Sequence, residues 1–128
     1  MGFSTALLTP AIGAVVTGCD LDVPLTENGL LRLKQALARH HVLFFRNQSL
    51  TLTDQKRLTK ALGPMLRLPY ITPMPDQPDV IRVLKEADEG GGVFGGDWHQ
   101  DFSFLKAPPA GSILSAIEVP PVGGDTLW

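Results

Sequence analysis

Two residues that can bind a metal ion, His99 and Asp101, are separated by one residue in the tract Trp98-His99-Gln100-Asp101. Successive side chains of a β-strand point to opposite faces, so residues i and i+2 lie on the same face. A strand here would bring an imidazole and a carboxylate into one small volume. The pair supplies two of the three donors of the 2-His-1-carboxylate triad, which binds non-haem Fe(II) and leaves open positions.

The His-x-Asp pair alone also fits other chemistry. Such pairs occur by chance in solvated strands, and a zinc hydrolase can use the same two ligands. A zinc site would usually add nearby histidines, and His40 and His41 are the only others in the chain. Adjacent residues do not share a helix face. We therefore interpret these two histidines as the basic end of a helix, which the helix dipole favours.

The composition is that of an ordinary globular protein. The 128 residues, 44% apolar and 19% charged, allow one domain or part of a larger one. A net charge of −2 gives no basic footprint for nucleic acid. The single cysteine, Cys19, excludes an intrachain disulfide and is predicted to be a small buried residue. Without a long apolar run or a secretory signal, we expect a cytoplasmic protein with no membrane partner.

The first half of the chain alternates short apolar runs with helical patterns. Thr26 is a candidate N-cap, and Leu30, Leu33 and Leu37 then recur at helical spacing. A second helix ends at the helix-breaking pair Gly63-Pro64. We predict strands at 7–8, 14–16 and 42–45, and helices that start at Thr26 and at Thr51 or Thr53.

The second half has strand patterns separated by turns and two irregular segments. Residues 64–79 hold five prolines, and residues 88–97 hold five glycines that would let backbone approach a ligand. A jelly-roll double sheet of the cupin type fits this strand-rich half. The predicted fold class is therefore α+β, with strands at 80–84, 98–104, 112–118 and 126–128.

The segment from Trp98 onward contains Trp98-His99-x-Asp101, Phe104, Pro108-Pro109-x-Gly111 and residues 123–127 in that order. In these features it resembles the taurine dioxygenase family of Fe(II)- and 2-oxoglutarate-dependent oxygenases. The resemblance implies a double-stranded β-helix, or jelly-roll, core with flanking N-terminal helices. Family members continue well past position 128, so we expect residues 1–128 to form the N-terminal part of a single dioxygenase domain, with the barrel incomplete. The first half of the chain is also similar to the family, through Gly13-Ala14, residues 43–48 and Leu62-Gly63.

The resemblance also implies roles for individual residues. His99 and Asp101 would be the iron ligands and the catalytic centre. Thr126 would donate its hydroxyl to the far carboxylate of the cosubstrate, 2-oxoglutarate, and Phe102 would contact the substrate. The second His ligand and an Arg that pairs with the cosubstrate lie beyond position 128 in the family. We therefore expect the 128-residue chain alone to be inactive and unstable.

The residues expected around the substrate differ from those of taurine-cleaving family members. Leu68 stands where those enzymes have a His, Ile71 where they have a Tyr, and Gly95 where they have an Asn, with Tyr70 one position from the expected Tyr. We expect Leu68, Tyr70 and Gly95 to line a more apolar pocket, with Arg67 available to meet an anion.

The implied activity is hydroxylation of a small organic substrate by dioxygen, with release of succinate and carbon dioxide. The expected substrates are sulfonates, sulfate esters or aryloxy acids, and the enzyme could form a homo-oligomer. The alternative is a non-catalytic relative in which the fold serves as a binding or interaction module. Iron titration would discriminate the two, because only the enzyme needs the metal.

Overall fold

The structure, a computed structural model, describes residues 2–68, 70–86, 88–92 and 94–127. It divides into two units, Met1–Pro64 with Ile113–Trp128, and Met65–Ser112. All of the helices and strands found in the described residues belong to the first unit. In chain order they are β1 (Ser4–Leu7), β2 (Ala14–Thr17), α1 (Glu27–His40), β3 (Leu43–Phe45) and α2 (Leu52–Leu62).

The three strands form one mixed sheet in the order β1-β2-β3. Strand β1 is antiparallel to β2, with Leu7 opposite Ala14, and β3 is parallel to β2, with Leu43 opposite Ala14. Parallel neighbours need a long crossover, which α1 provides. The predicted strands at 7–8, 14–16 and 42–45 are therefore confirmed as elements, with shifts of a few residues at their ends.

Helix α1 begins and ends where the local sequence predicts. The Thr26 side chain accepts a hydrogen bond from the Gly29 backbone N–H at 3.1 Å, which satisfies one of the free donors of the first turn. Arg39 and His40 lie in the last turn, at the negative end of the helix dipole. His41 leaves the helix at φ 65° and its N–H donates to the Leu37 carbonyl. The assignment of the two histidines to a helix end is confirmed.

Helix α2 starts at Thr51 rather than Thr53, because Thr51 and Asp54 form a reciprocal capping box. The Thr51 hydroxyl accepts from the Asp54 N–H at 3.2 Å, and the Asp54 carboxylate accepts from the Thr51 N–H at 3.1 Å. The Thr51 hydroxyl also donates to the Asp54 carboxylate at 2.5 Å. This bond, followed by the one from the Thr51 N–H and by the neighbouring Arg57 guanidinium, lowers the pKa of Asp54 below its ordinary value of 3.8. The helix ends at Gly63, as predicted.

Replacing Thr51 with alanine is expected to lower the free energy of unfolding by about 1 kcal/mol at neutral pH. A lowered carboxyl pKa stabilises the folded state above pH 3.8, and that stabilisation is lost as the pH falls through the lowered value. The difference between wild type and Thr51→Ala should therefore shrink in acid, because the cap then loses its charged partner. Urea denaturation at neutral and acidic pH measures it. Thr53→Ala is the matched control, and an equal loss there would contradict the assignment of Thr51 as the cap.

The core of the first unit packs one face of α1 and α2 against the sheet and the segment after β2. Its buried members include Val16, Cys19, Leu21, Leu33 and Leu58. Burial, followed by the nearby charge of Asp20, raises the pKa of the Cys19 thiol. The prediction of a small buried cysteine is confirmed, and a raised pKa leaves little of the reactive thiolate.

Two polar contacts attach further segments to this core. The Arg32 guanidinium lies 4.7 Å from the centre of the Phe3 ring and donates to the Phe3 carbonyl at 2.7 Å. The Gln55 side chain of α2 donates to the Ile113 carbonyl at 3.0 Å, which attaches the last part of the first unit to the helix. Neither of the described helices is long and apolar enough to cross a membrane.

The strands predicted at 80–84, 98–104 and 112–118 are wrong for the described residues. Residues 126 and 127 are likewise outside any strand, and Trp128 lies outside the described residues. In the second unit the only ladder contact among described residues is an isolated bridge between Met74 and Gln77. A strand needs a hydrogen-bonded partner as well as an alternating pattern. Ile117, predicted to lie on one face of a strand, is 94% exposed.

The sheet that forms is therefore small, with three strands and two helices. It is compatible with part of a jelly-roll protein, and the jelly-roll core itself stays a prediction. The loops expected at 64–79 and 88–97 contain no helix or strand at their described positions. Pro69 and Val93 within them lie outside the described residues.

Candidate functional site

The structure brings His99 and Asp101 together in the second unit. The Nε2 atom of His99 lies 3.1 Å from Oδ1 of Asp101, and the two side chains are 52% and 56% exposed. The tract is not a strand, and the turn that joins them continues into Phe102, which has a φ of 52°. The shared volume that the spacing predicts is therefore formed by an irregular turn.

The backbone before the pair fixes the orientation of the imidazole. Nδ1 of His99 lies 2.7 Å from the carbonyl oxygen of Asp97. A carbonyl only accepts, so Nδ1 carries the proton and Nε2 is the nitrogen that can bind a metal. This contact was not predicted, because a backbone carbonyl leaves no signature in the side-chain pattern.

The same contacts favour the protonated imidazole. The hydrogen bond to the Asp97 carbonyl, followed by the negative charge of Asp101, raises the pKa of His99 above its ordinary value of 6.5. Only the neutral ring can bind a metal. A proton therefore competes with a metal for Nε2, and the Asp101 carboxylate is the partner of both.

The donor atoms of the pair fit an octahedral metal such as Fe(II). The 3.1 Å between Nε2 and Oδ1 is the length of a hydrogen bond from a protonated imidazole to the carboxylate. It is also close to the roughly 3 Å between two cis ligands bound at about 2.1 Å. Within the described part of the chain, no third His, Cys, Asp or Glu joins them to form a cluster that could hold a metal ion. The pair is thus an incomplete donor set of the correct chemistry.

Gly95 lies beside the His99 ring. A Cβ atom placed on Gly95 would be 3.2 Å from Cε1 of His99, and Gly95 has a φ of 70°. The sequence predicts that Gly95 lines the substrate pocket, and the structure places it against the candidate metal ligand.

Three aromatic rings form a cluster in the second unit. Phe104 is central, with its ring centre 6.3 Å from that of Tyr70 and 6.4 Å from that of Phe102. Tyr70 and Phe104 are largely exposed. Tyr70 and Phe102 are predicted site residues, and Phe104 was missed. Phe104 could have been predicted as a neighbour of Phe102, because it lies two residues after it and is one of the residues that match the family.

Two other predicted positions have different surroundings. Leu68 is half-buried in the same unit. Nε of Arg67 is paired with Oδ1 of Asp79 at 2.7 Å. The ion pair with Asp79 partly neutralises this guanidinium, but it occupies only Nε and the side chain is 68% exposed, so a role of Arg67 toward an anion stays a prediction.

Thr126, the predicted cosubstrate ligand, belongs to the first unit. It is exposed and follows Gly123 and Gly124, whose φ values are 82° and 73°. Both glycines are in the left-handed backbone region, and within the turn predicted at 120–125 the structure has a bend at Pro121 and Val122.

An imidazole and a carboxylate at cis-ligand spacing define a candidate centre for a non-haem metal. Comparison with known proteins identifies the family. Residues 4–128 match the family described as Taurine catabolism dioxygenase TauD, TfdA family, and the chain belongs to it. This confirms the resemblance found in the sequence.

Among its relatives, the chain is 36% identical to an alkylsulfatase of Acinetobacter baylyi over 94% of the chain and 37% of the relative. It is 35% identical to an alpha-ketoglutarate-dependent sulfate ester dioxygenase of Pseudomonas putida, over 91% of the chain and 38% of the relative. The chain thus spans less than two-fifths of the length of these curated relatives. A further relative is the (S)-phenoxypropionate/alpha-ketoglutarate-dioxygenase of Sphingobium herbicidovorans, 33% identical over 97% of the chain and 44% of the relative.

Solved structures give the same assignment. A taurine dioxygenase from Burkholderia xenovorans aligns with a TM-score of 0.55 and 30% identity, over 59% of this chain and 28% of that chain. AAD-2, solved in complex with Mn(II) and N-oxalylglycine, aligns with a TM-score of 0.50 and 26% identity, over 51% of this chain and 26% of that chain.

Proposed function

We propose that the protein is an Fe(II)- and 2-oxoglutarate-dependent dioxygenase that hydroxylates a small organic substrate and releases succinate and carbon dioxide. The observation that carries this proposal is the 3.1 Å separation of His99 Nε2 and Asp101 Oδ1 in a member of the family. The relatives named above as alpha-ketoglutarate-dependent dioxygenases support it.

When bound, iron would supply the activation of dioxygen that no side chain of this protein can perform. His99 would provide the neutral Nε2 donor, with its tautomer fixed by the Asp97 carbonyl. Asp101 would provide a negative charge beside it and so favour a cation at this point. Thr126 would donate its hydroxyl to the cosubstrate carboxylate, a role that rests on the family resemblance.

The substrate we propose has a substantial apolar part, as in a sulfate ester or an aryloxy acid. Exposed aromatic rings in the second unit offer faces and edges on which such a group can pack, and aromatic pairs contribute about 0.5–1.5 kcal/mol beyond the burial of area. Taurine has no comparable apolar group. Leu68, Ile71 and Gly95 would also leave its charged ends without polar side chains.

A substrate screen of the full-length protein tests this function. With Fe(II) and 2-oxoglutarate present, succinate formation and dioxygen consumption should depend on an alkyl sulfate or an aryloxy acid. We expect taurine to have a kcat/KM lower by at least about 100-fold, since two lost hydrogen bonds to charged groups cost roughly 1.5–3 kcal/mol each.

A ranking with taurine first would contradict the proposed substrate class. No succinate with any substrate, together with no Fe(II) binding, would instead favour the alternative of a non-catalytic binding module.

A further inference from the structure

We propose that Gly95 is a positioning residue for His99, because the absence of a side chain at Gly95 allows the imidazole to occupy its present place. This inference rests on the proposed function for the role of His99 as an iron ligand. A Cβ on Gly95 would lie 3.2 Å from Cε1 and 3.7 Å from Nε2 of the ring. The first of these distances is tighter than about nine in ten Cβ contacts in proteins, so an added methyl group would push the ring away by a few tenths of an ångström.

The contact involves the edge of the ring that carries the donor atom. Nδ1, Cε1 and Nε2 are consecutive ring atoms, and each has a neighbour in the structure. The Asp97 carbonyl lies 2.7 Å from Nδ1, Gly95 lies beside Cε1, and the Asp101 carboxylate lies 3.1 Å from Nε2. A ring pushed away from residue 95 would move Nε2 relative to Oδ1 of Asp101, and the spacing of the two metal donors would change.

A second glycine of the same loop separates this effect from backbone strain. Gly91 has a φ of 88°, in the same left-handed region as Gly95, and a Cβ there would meet no atom within 4 Å. A side chain at either position takes an unfavourable backbone conformation. Only at Gly95 would it also contact His99, so Gly91→Ala reproduces the backbone cost without the contact.

The experiment compares full-length wild type, Gly95→Ala and Gly91→Ala without turnover. Mn(II) affinity is measured by electron paramagnetic resonance, and thermal denaturation checks that each variant is folded. Loss of a hydrogen-bonding partner that orients a metal ligand typically lowers affinity by about 10–100-fold, and a ring shifted by a few tenths of an ångström should act at the lower end of that range. We expect that loss for Gly95→Ala and wild-type affinity for Gly91→Ala. Equal Mn(II) affinity in Gly95→Ala and wild type, or an equal loss in Gly91→Ala, would overturn the proposal.

A second measurement does not depend on metal binding. The Cε1 proton resonance of His99, assigned by its absence in His99→Ala, should shift in metal-free Gly95→Ala and stay in place in Gly91→Ala. An unchanged resonance in Gly95→Ala would refute the positioning role. A wild-type protein that binds no Mn(II) but shows the expected shift would instead refute the proposed iron site and leave the contact established.

Discussion

Replacing His99 or Asp101 with alanine in the full-length protein is expected to abolish Fe(II)-dependent succinate formation. Each variant removes one of two donor atoms that lie 3.1 Å apart. Loss of a group that only orients a ligand costs about 10–100-fold, so loss of the ligand itself should cost more. Asp101→Asn is the more conservative variant, because it keeps the shape of the side chain and removes its charge.

Gln100→Ala is the matched control for these variants. Gln100 lies between the two residues, is exposed, and has no role in the proposed site. Succinate formation and dioxygen uptake are measured with saturating 2-oxoglutarate, and Mn(II) affinity is measured alongside. Wild-type turnover in His99→Ala or Asp101→Ala would show that the altered residue is not a ligand. Loss of activity in Gln100→Ala as well would indicate that the tract has unfolded.

The helices could be predicted because their signals are local. The Thr26 and Thr51 hydroxyls act within three residues along the chain, and the histidines at the end of α1 act within its last turn. The strands predicted in the second half do not form in the described residues, because a strand depends on more than its local sequence. Residues 80–84 and 112–118 have apolar strand patterns, but a pattern does not supply the neighbouring strand that must satisfy the backbone.

The candidate site also combines features that local sequence predicts with features that depend on the rest of the fold. The prediction of a shared volume was argued from a strand that the structure lacks. The two side chains of His99 and Asp101 meet all the same, because residues two apart are close enough for irregular backbone to bring them together. The pairing of Arg67 with Asp79 depends on the path of the intervening chain, and the contact of the Asp97 carbonyl with His99 depends on a backbone conformation. Neither is encoded in residue types alone. Phe104 could have been predicted from the sequence, because it is one of the residues that carry the family resemblance.

Replacing Leu33 with alanine is expected to be the most destabilising alanine substitution in α1. Leu33 is 3% exposed and packs in the core of the first unit, and truncating a buried leucine costs about 2–5 kcal/mol because it removes apolar contacts and leaves a cavity. Leu31 lies on the same helix but is 57% exposed. Leu31→Ala should change stability by roughly 0.5 kcal/mol or less, since alanine also favours the helix. Urea denaturation of the full-length protein, followed by circular dichroism, measures both. Equal losses in the two variants would contradict the packing of α1 described above.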